Sequence, residues 1–247
     1  ARNWSAAIHL VGIIEEHPGR RQTFERMHVD ATRVVVQACE AAGIGRYVHM
    51  SALGSRAGAV SAYHQTKWVA EEVVRGSTLA WTIFRPSVIH GPDGEFIQMM
   101  KFLSTKILRQ PAMPYFGSGN AQLQPVSVLD VAACFVRALR LPETVGRVYD
   151  LGGQERITWK ELYDACAVAF TGHTRLKLPV PVPLAKLLAV TVMPIAPSAL
   201  VPYRFNVDQV QMSQEDSVCD IEPVERTFGI RMRDFRRTLS SYAGQVR

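Results

Sequence analysis

Tyr63 and Lys67, in the run Ser61-Ala-Tyr-His-Gln-Thr-Lys67, are spaced so that a helix would set a phenol and an ammonium one turn apart on the same face. Such a pair can move protons. A tyrosine with an ordinary pKa near ~10 keeps its proton at neutral pH, and a positive charge held beside it favours the phenolate and brings the phenol toward working range. The chain has seven tyrosines in 247 residues, and at this composition chance alone supplies roughly 0.17 pairs of that spacing. The pair therefore takes its meaning from the elements that hold it.

Those elements read as alternating strands and helices. The apolar run Ala6-Ala-Ile-His-Leu-Val-Gly-Ile-Ile14 has strand length and no clean alternation, as expected of an interior parallel strand covered on both faces. Asp30 is expected to cap a helix through Ala42, with Val34, Val35, Ala38 and Ala42 on its apolar side and Gly43 as its stop. Gly45-Arg-Tyr-Val-His-Met-Ser-Ala-Leu-Gly54 reads as a short buried strand, ending near Met50, that runs into a loop, and the helix carrying Tyr63 and Lys67 continues through Trp68-Val-Ala-Glu-Glu-Val-Val-Arg75. Ala80-Trp-Thr-Ile-Phe-Arg85 is a further strand, halted by Pro86 and followed by the turn-rich Ser-Val-Ile-His-Gly-Pro92. This alternation predicts right-handed βαβ units and a parallel sheet, whose ligand sites form at strand ends.

Farther along, Glu95 to Leu108 is helix-like, Gln110 to Gln124 is loop-rich with Gly117 and Gly119, and Gln124 to Val128 is a short strand feeding a helix from about Leu129 to Leu141. Thr158-Trp-Lys-Glu161 fits a capping box for a helix ending at Gly172, and Asn206 to Tyr242 is helical in parts. The uncharged run Leu187 to Tyr203 holds Pro194, Pro197 and Pro202 and is short for a membrane span, so it reads as a surface lobe or docking loop.

The chain resembles the extended or atypical short-chain dehydrogenase/reductases, the NAD-dependent epimerase/dehydratase superfamily. The resemblance rests on Ile8-His-Leu-Val-Gly12, Met27-His-Val-Asp-Ala-Thr32, Arg46-Tyr-Val-His-Met-Ser51, Tyr63 to Lys67, Arg85-Pro-Ser-Val-Ile-His-Gly-Pro92 and Gln124-Pro-Val-Ser-Val-Leu-Asp-Val-Ala132. Val11-Gly-Ile-Ile-Glu15, Ser51-Ala-Leu-Gly54 and Tyr149-Asp-Leu-Gly-Gly153 resemble the subgroup that includes the nucleotide-binding accessory subunit of respiratory complex I and its bacterial relatives.

The resemblance implies an α/β fold: a Rossmann-like, doubly wound parallel sheet with its first strands missing and a smaller C-terminal substrate-side region. Residues 1–110 would form a partial NAD(P)-binding Rossmann domain. Residues 111–247 would contribute a strand and a helix to it and build the substrate-side lobe. The cofactor implied is NAD(P)(H). Tyr63 would be the acid/base and Lys67 its activator. Leu10, Val11 and Gly12 would line the adenosine and ribose side, Ser51 the nicotinamide end, Lys67 the nicotinamide ribose, and Pro86, Ser87 and Val88 the carboxamide. Gly12 is equally readable as simple packing at a strand end.

Two family features are absent from these residues. In the family the Ile8 to Gly12 strand is the fourth, so an amino-terminal truncation is expected. The Gly-rich pyrophosphate turn is not found, because Gly43-Ile-Gly45 follows a helix and precedes a strand. Weak or absent dinucleotide binding by the chain as given is the corresponding expectation. Leu53 occupies the position where the extended enzymes carry a Ser or Thr that bonds the reacting oxygen. Ser55 or Ser61 would have to replace it, against a plainer reading of both as loop-solubilising serines. His64 is expected to face solvent or substrate, since its side chain points about 100° from that of Tyr63.

With 47% hydrophobic residues and a net charge of +6, the chain suits a globular fold with a substantial core, and its basic residues are too scattered to suggest nucleic acid. Cys39, Cys134, Cys166 and Cys219 are far apart and read as packed, reduced thiols, and the histidine spacing implies no metal site. The expected partners are a dinucleotide and an unknown small-molecule substrate, with a membrane-associated protein complex as a further partner. The expected location is the bacterial cytoplasm or the periphery of the inner membrane, not outside the cell. Two functional classes follow from the resemblance: an NAD(P)-dependent oxidoreductase or epimerase/dehydratase, and a redox-silent nucleotide-binding structural or assembly subunit.

Overall fold

A computed structural model describes residues 4–105, 112–196 and 203–246. In chain order the elements that matter here are β1 (Ala6–His9), α1 (Ala31–Ala41), β2 (Arg46–Met50), α2 (Ala62–Arg75), β3 (Ala80–Pro86), β4 (Ile89–His90), α3 (Glu95–Thr105), β5 (Ala112–Phe116), β6 (Gln122–Leu123), β7 (Val126–Ser127), α4 (Val128–Ala138), β8 (Arg147–Leu151), β9 (Ile157–Thr158), α5 (Trp159–Thr171), β10 (Leu176–Val180), α6 (Val182–Thr191), α7 (Val207–Met212), α8 (Glu222–Phe228) and α9 (Phe235–Tyr242). They divide into two compact units. The sheet unit comprises Ala1–Ser87, Asp130–Leu151 and Cys219–Arg231; the second unit comprises Val88–Leu129, Gly152–Val218 and Met232–Arg247.

The sheet unit is built on four parallel strands in the order β1-β2-β3-β8, with Ile8 opposite Val48, His49 opposite Ile83 and Phe84 opposite Tyr149. Helices α1 and α2 are the crossovers that parallel pairing requires. Their apolar sides close a core of Val36, Cys39, Tyr47, Val74, Leu79 and Ile83. Arg46 ties the beginning of the sheet to its surroundings. Its guanidinium donates to the carbonyls of Ala80 (2.5 Å) and Ala138 (2.8 Å) and to the hydroxyls of Thr82 (2.7 Å) and Thr144 (2.9 Å).

Several local readings change. The run from Ala6 to Ile14 is a strand only as far as His9, because its ladder ends at the His9–His49 pair. It lies at one edge of the described sheet, and Ile8 is 40% exposed, so the strand is not covered on both faces as its sequence suggested. Asp30 does not cap α1. A wide helical turn, Glu25–Asp30, runs directly into α1, and Asp30 has helical backbone angles and bonds Arg33 instead (2.8 Å). The chain enters this turn with Glu16 accepting the Phe24 N–H (2.6 Å). Gly43 does end α1, at φ +68°, a conformation that a residue without Cβ adopts freely.

The second unit is organised around Ile97 and Met100 of α3, Met113 and Tyr115 of β5, Leu162 and Cys166 of α5, and Phe235, Leu239 and Tyr242 of α9. The stretch expected to be loop contains β5, which pairs in parallel with β10, and both strands carry a proline (Pro114 and Pro179). Gly117 and Gly119 follow it at φ +64°. The capping box is present: the Thr158 side chain accepts the Glu161 N–H, Glu161 accepts the Thr158 N–H (2.7 Å), and α5 stops at Gly172. The end of the helix predicted to reach Leu108 and the tip of the proline-bearing lobe, 197–202, lie outside the described residues. None of the four cysteines is in a disulfide, and all four are buried. Among the described residues no helix is long and apolar enough to cross a membrane.

Candidate active site

Helix α2 begins at Ser61, whose hydroxyl accepts the His64 N–H (3.2 Å) and so starts the helix two residues before Tyr63. From there four side chains recur at intervals of four residues: Tyr63, Lys67, Glu71 and Arg75. An interval of four sets each beside the one before it, with a drift of about 40° per step, so phenol, ammonium, carboxylate and guanidinium follow one another along the helix. The middle two are buried, Lys67 at 4% and Glu71 at 0% exposure.

Lys67 reaches the end of the sheet. Its Nζ donates to the Met50 carbonyl at the last residue of β2 (3.2 Å). Gly12 gives it room, for a Cβ there would lie 2.8 Å from Nζ and 3.6 Å from the His28 ring. Burial draws the Lys67 ammonium down to about 8, and the charge of Glu71 opposes that fall. Tyr63 packs edge-on against Phe24, His28 and His64, with ring centroids 5.3 to 5.8 Å apart. Burial pushes its phenol up to about 12.

Around Lys67 stand imidazoles that do not carry charge at neutral pH. Burial, with the Lys67 charge second, lowers His9 to about 4 and His28 to about 3, where a bond to the Ile13 backbone opposes the fall. The same causes, with His9 and His28 adding to them, hold His49 well below the usual range. His9 Nδ1 bonds the Tyr47 hydroxyl at 2.6 Å. His28 Nδ1 lies 2.9 Å from the Thr66 hydroxyl, and its Nε2 lies 3.0 Å from the Ile13 carbonyl oxygen and 3.1 Å from the Ile13 nitrogen. Both ring nitrogens of His49 are buried without a hydrogen-bond partner.

The loop after β2 is pinned to the end of β3, and the residue after β3 to the end of β8. The N–H of Ser51 donates to Phe84 (2.7 Å), that of Leu53 to Pro86 (2.9 Å) and that of Ser87 to Leu151 (2.8 Å). The Ser51 hydroxyl donates to Glu71 Oε1 (2.5 Å), and the Ser51 and Ser55 hydroxyl oxygens lie 3.2 Å apart. Glu71 also receives Arg85 (2.7 and 2.6 Å) and Arg75 (2.7 Å), and both guanidinium groups lie over the Trp68 ring at 5.6 and 4.7 Å.

Gly12, Tyr63 and Lys67 are therefore brought to one place in the sheet unit, with His28 beside them. Ser51, Pro86 and Ser87 are joined at the strand ends. Leu10 and Val11 project from the end of β1 as exposed apolar residues. Val88 opens the second unit, its carbonyl accepting the Val126 N–H (2.9 Å). The loop serines are not solubilising, because Ser55 and Ser61 are both buried, one bonded to Ser51 and the other capping α2. Nor does His64 face solvent. It is buried beneath Gly54, where a Cβ would come within 2.9 Å of its ring.

The residues missed in the sequence are Glu71, His28 and the His9–His49 pair. Glu71 had a signal, the same four-residue step that singles out Tyr63 and Lys67.

Residues 7–142 match the family model described as NAD(P)H-binding. The chain belongs to that NAD(P)H-binding family. Its curated relatives include the mitochondrial NADH dehydrogenase [ubiquinone] 1 alpha subcomplex subunit 9 of Arabidopsis thaliana, 30% identical over 223 residues that make up 87% of this chain and 53% of the relative. Ceramide reductase of Caulobacter vibrioides is 30% identical over 185 residues, 73% of this chain and 55% of the relative. The chain spans about half the length of these relatives. Among solved structures, MoeE5 with UDP-glucuronic acid and NAD aligns with a TM-score of 0.72 at 17% identity, over 99% of this chain and 79% of that one. The UDP-glucuronic acid 4-epimerase of Bacillus cereus with NAD aligns at 0.70 and 15% identity, over 98% and 75%. At these identities the likeness is one of fold, a Rossmann-like α/β arrangement.

Proposed function

We propose that this chain carries the acid–base half of an NAD(P)-linked dehydrogenase or epimerase, in which Tyr63 exchanges a proton with a substrate hydroxyl or carbonyl. Lys67 is its activator and a donor to the nicotinamide ribose. The observation that carries this reading is the placement of the Lys67 ammonium at the Met50 carbonyl and against Gly12, with Tyr63 one turn earlier on the same face of α2. The surrounding residues suit a dinucleotide. Gly12 leaves open the space that a side chain would take from Lys67, and Leu10 and Val11 offer exposed hydrocarbon at a strand end, where a flat ring and a ribose are accommodated in folds of this class. The dinucleotide, when bound, accepts or returns hydride at its nicotinamide. The buried Tyr63 phenol holds its proton at neutral pH and so is poised as the acid.

A second reading rests on a specific departure. Leu53 can neither donate nor accept a hydrogen bond through its side chain, and the Ser51 proton is committed to Glu71. An enzyme short of that hydroxyl fits a nucleotide-binding subunit that turns over slowly or never, the class suggested by the complex I relatives. The exposed Leu184, Leu187, Val190 and Ile195 in and after α6 support a place in a membrane-associated complex.

Thermal unfolding of the intact gene product with NADH or NADPH, followed by cofactor absorbance against a panel of carbonyl and sugar-nucleotide substrates, separates the two. A rise in melting temperature with turnover supports the enzyme. A rise without turnover supports the structural subunit, and no rise refutes both.

A further inference from the structure

The four-residue stripe on α2 extends beyond the acid–base pair, and its third member has no part in the reaction as described. Glu71 is completely buried, yet it is among the most heavily bonded side chains of the sheet unit, receiving the Ser51 hydroxyl at 2.5 Å, Arg85 through both oxygens and Arg75 through one. A buried carboxylate is tolerated when its lone pairs are filled by charged donors, and here they are. Two guanidinium groups for one carboxylate exceed what neutralising it requires. Trp68 stacks beneath both and holds them in place.

We propose that Glu71 is the positioning residue of this site: it keeps the Lys67 ammonium protonated from one helical turn away and holds the Ser51 hydroxyl turned inward at the end of β2. This deepens the functional reading above and rests on it for its catalytic meaning.

The charged and titratable groups around Lys67 leave Glu71 with that task. On α2 itself are Tyr63 on one side and Glu71, then Arg75, on the other. From β1 comes His9, from the wide turn His28, from β2 His49, all three neutral. From β3 comes Arg85 and from β8 Asp150, both interacting with Glu71 or with each other. Burial opposes the charge on Lys67, and Glu71 favours it. Ser51 is coupled to the same carboxylate, so one group sets both the donor at the ribose position and the direction of the hydroxyl at the nicotinamide end.

The test follows the proton on Lys67 directly. Carbon-13 NMR of the lysine side chains in the intact gene product, with the Lys67 signal assigned by its loss in Lys67→Arg, gives the pH at which Lys67 titrates. Glu71→Gln is expected to lower that pH by about one unit, a roughly tenfold loss of proton affinity, and Glu71→Asp to restore most of it. A merely structural role for Glu71 would lower the melting temperature of both variants without moving the titration. Because Glu71→Gln takes from Arg85 the carboxylate it bonds, Arg75→Met at the partly exposed side of the network is the companion variant. It removes a competing cation and is expected to raise the Lys67 titration by a few tenths of a pH unit, about twofold in proton affinity. An unchanged titration in a folded Glu71→Gln, or a downward shift in Arg75→Met, overturns the proposal. No dinucleotide is needed for either measurement, so failure to bind NAD(P)H would defeat the functional reading and leave the effect of Glu71 on Lys67 still measurable.

Discussion

The two units of this chain bury different materials. The sheet unit encloses Lys67, Glu71 and Asp130 together with His9, His28, His49 and His64; among the described residues of the second unit no charged side chain is buried, and His90 is the one buried imidazole. The second unit instead fills its interior with Ile97, Met100, Leu162, Phe235 and Leu239, and leaves Leu184, Leu187 and Val190 of α6 in the open. Placing ionisable groups out of water is costly unless each has a partner. The sheet unit meets that cost at α2 with a network in which Glu71 joins Ser51, Arg75 and Arg85. Polar burial thus marks the part of the molecule where proton chemistry is proposed, and the hydrocarbon-filled unit has the composition of a scaffold.

The contrast can be broken most forcefully at Glu71. Replacing it with Leu takes the carboxylate from Arg85 and the Ser51 hydroxyl and leaves Arg75 its bond to Glu72, and an expected loss of about 3–5 kcal/mol should appear in urea unfolding. A loss below about 1 kcal/mol would mean that the network adds little. Acid is the next probe. Because His9, His28 and His49 titrate below the ordinary value of 6.5 in the folded chain, the unfolded chain takes up protons first, and stability is lost as pH falls from about 6.5 toward 3. In the second unit His90, drawn to about 4 by burial and bonded to the Tyr242 hydroxyl (2.9 Å), is the one buried group of this kind among the described residues. Hydrogen exchange at about pH 7 and about pH 4.5 should therefore show protection lost in β2 and α2 before α5 and α9. Equal loss in both units would erase the distinction.

A smaller effect isolates function from stability. In Gly12→Ala the new methyl meets the far end of a flexible lysine, so unfolding should change by less than about 1 kcal/mol. NAD(P)H affinity of the intact gene product should fall about tenfold as Nζ leaves the Met50 carbonyl. Isothermal titration beside urea unfolding reads the two. The smallest change belongs to the second unit: Thr158→Ala removes the capping box of α5 and should cost about 1 kcal/mol, with no change in dinucleotide affinity.

Where sequence and structure agree, the information is local. The step from Tyr63 to Lys67, the stop at Gly43 and the capping box at Thr158 each lie within one or two helical turns, so spacing alone reveals them. The family resemblance and the parallel sheet were legible for a similar reason, since strand and helix runs alternate visibly up to Pro86. What was hidden depends on distant partners. A glutamate on an amphipathic helix ordinarily faces water, and Glu71 is buried because Arg85 and Ser51 arrive from β3 and the end of β2. The strand at Ala6 looks continuous to Ile14 but ends where its pairing with β2 ends. Strand β5 was concealed by Pro114 and by a partner, β10, that lies some sixty residues later. Ser55 and Ser61 read as loop polarity because nothing local shows that the loop folds inward.

The central claim is that Tyr63 is the proton donor of an NAD(P)-linked reaction. It is tested most directly by following cofactor absorbance in the intact gene product and in Tyr63→Phe against the same substrate panel. The predicted result is turnover that falls by about 10² to 10⁴-fold in Tyr63→Phe, while the rise in melting temperature with NAD(P)H is unchanged. Equal turnover in the two proteins, or stabilisation by NAD(P)H with no turnover in either, would contradict it.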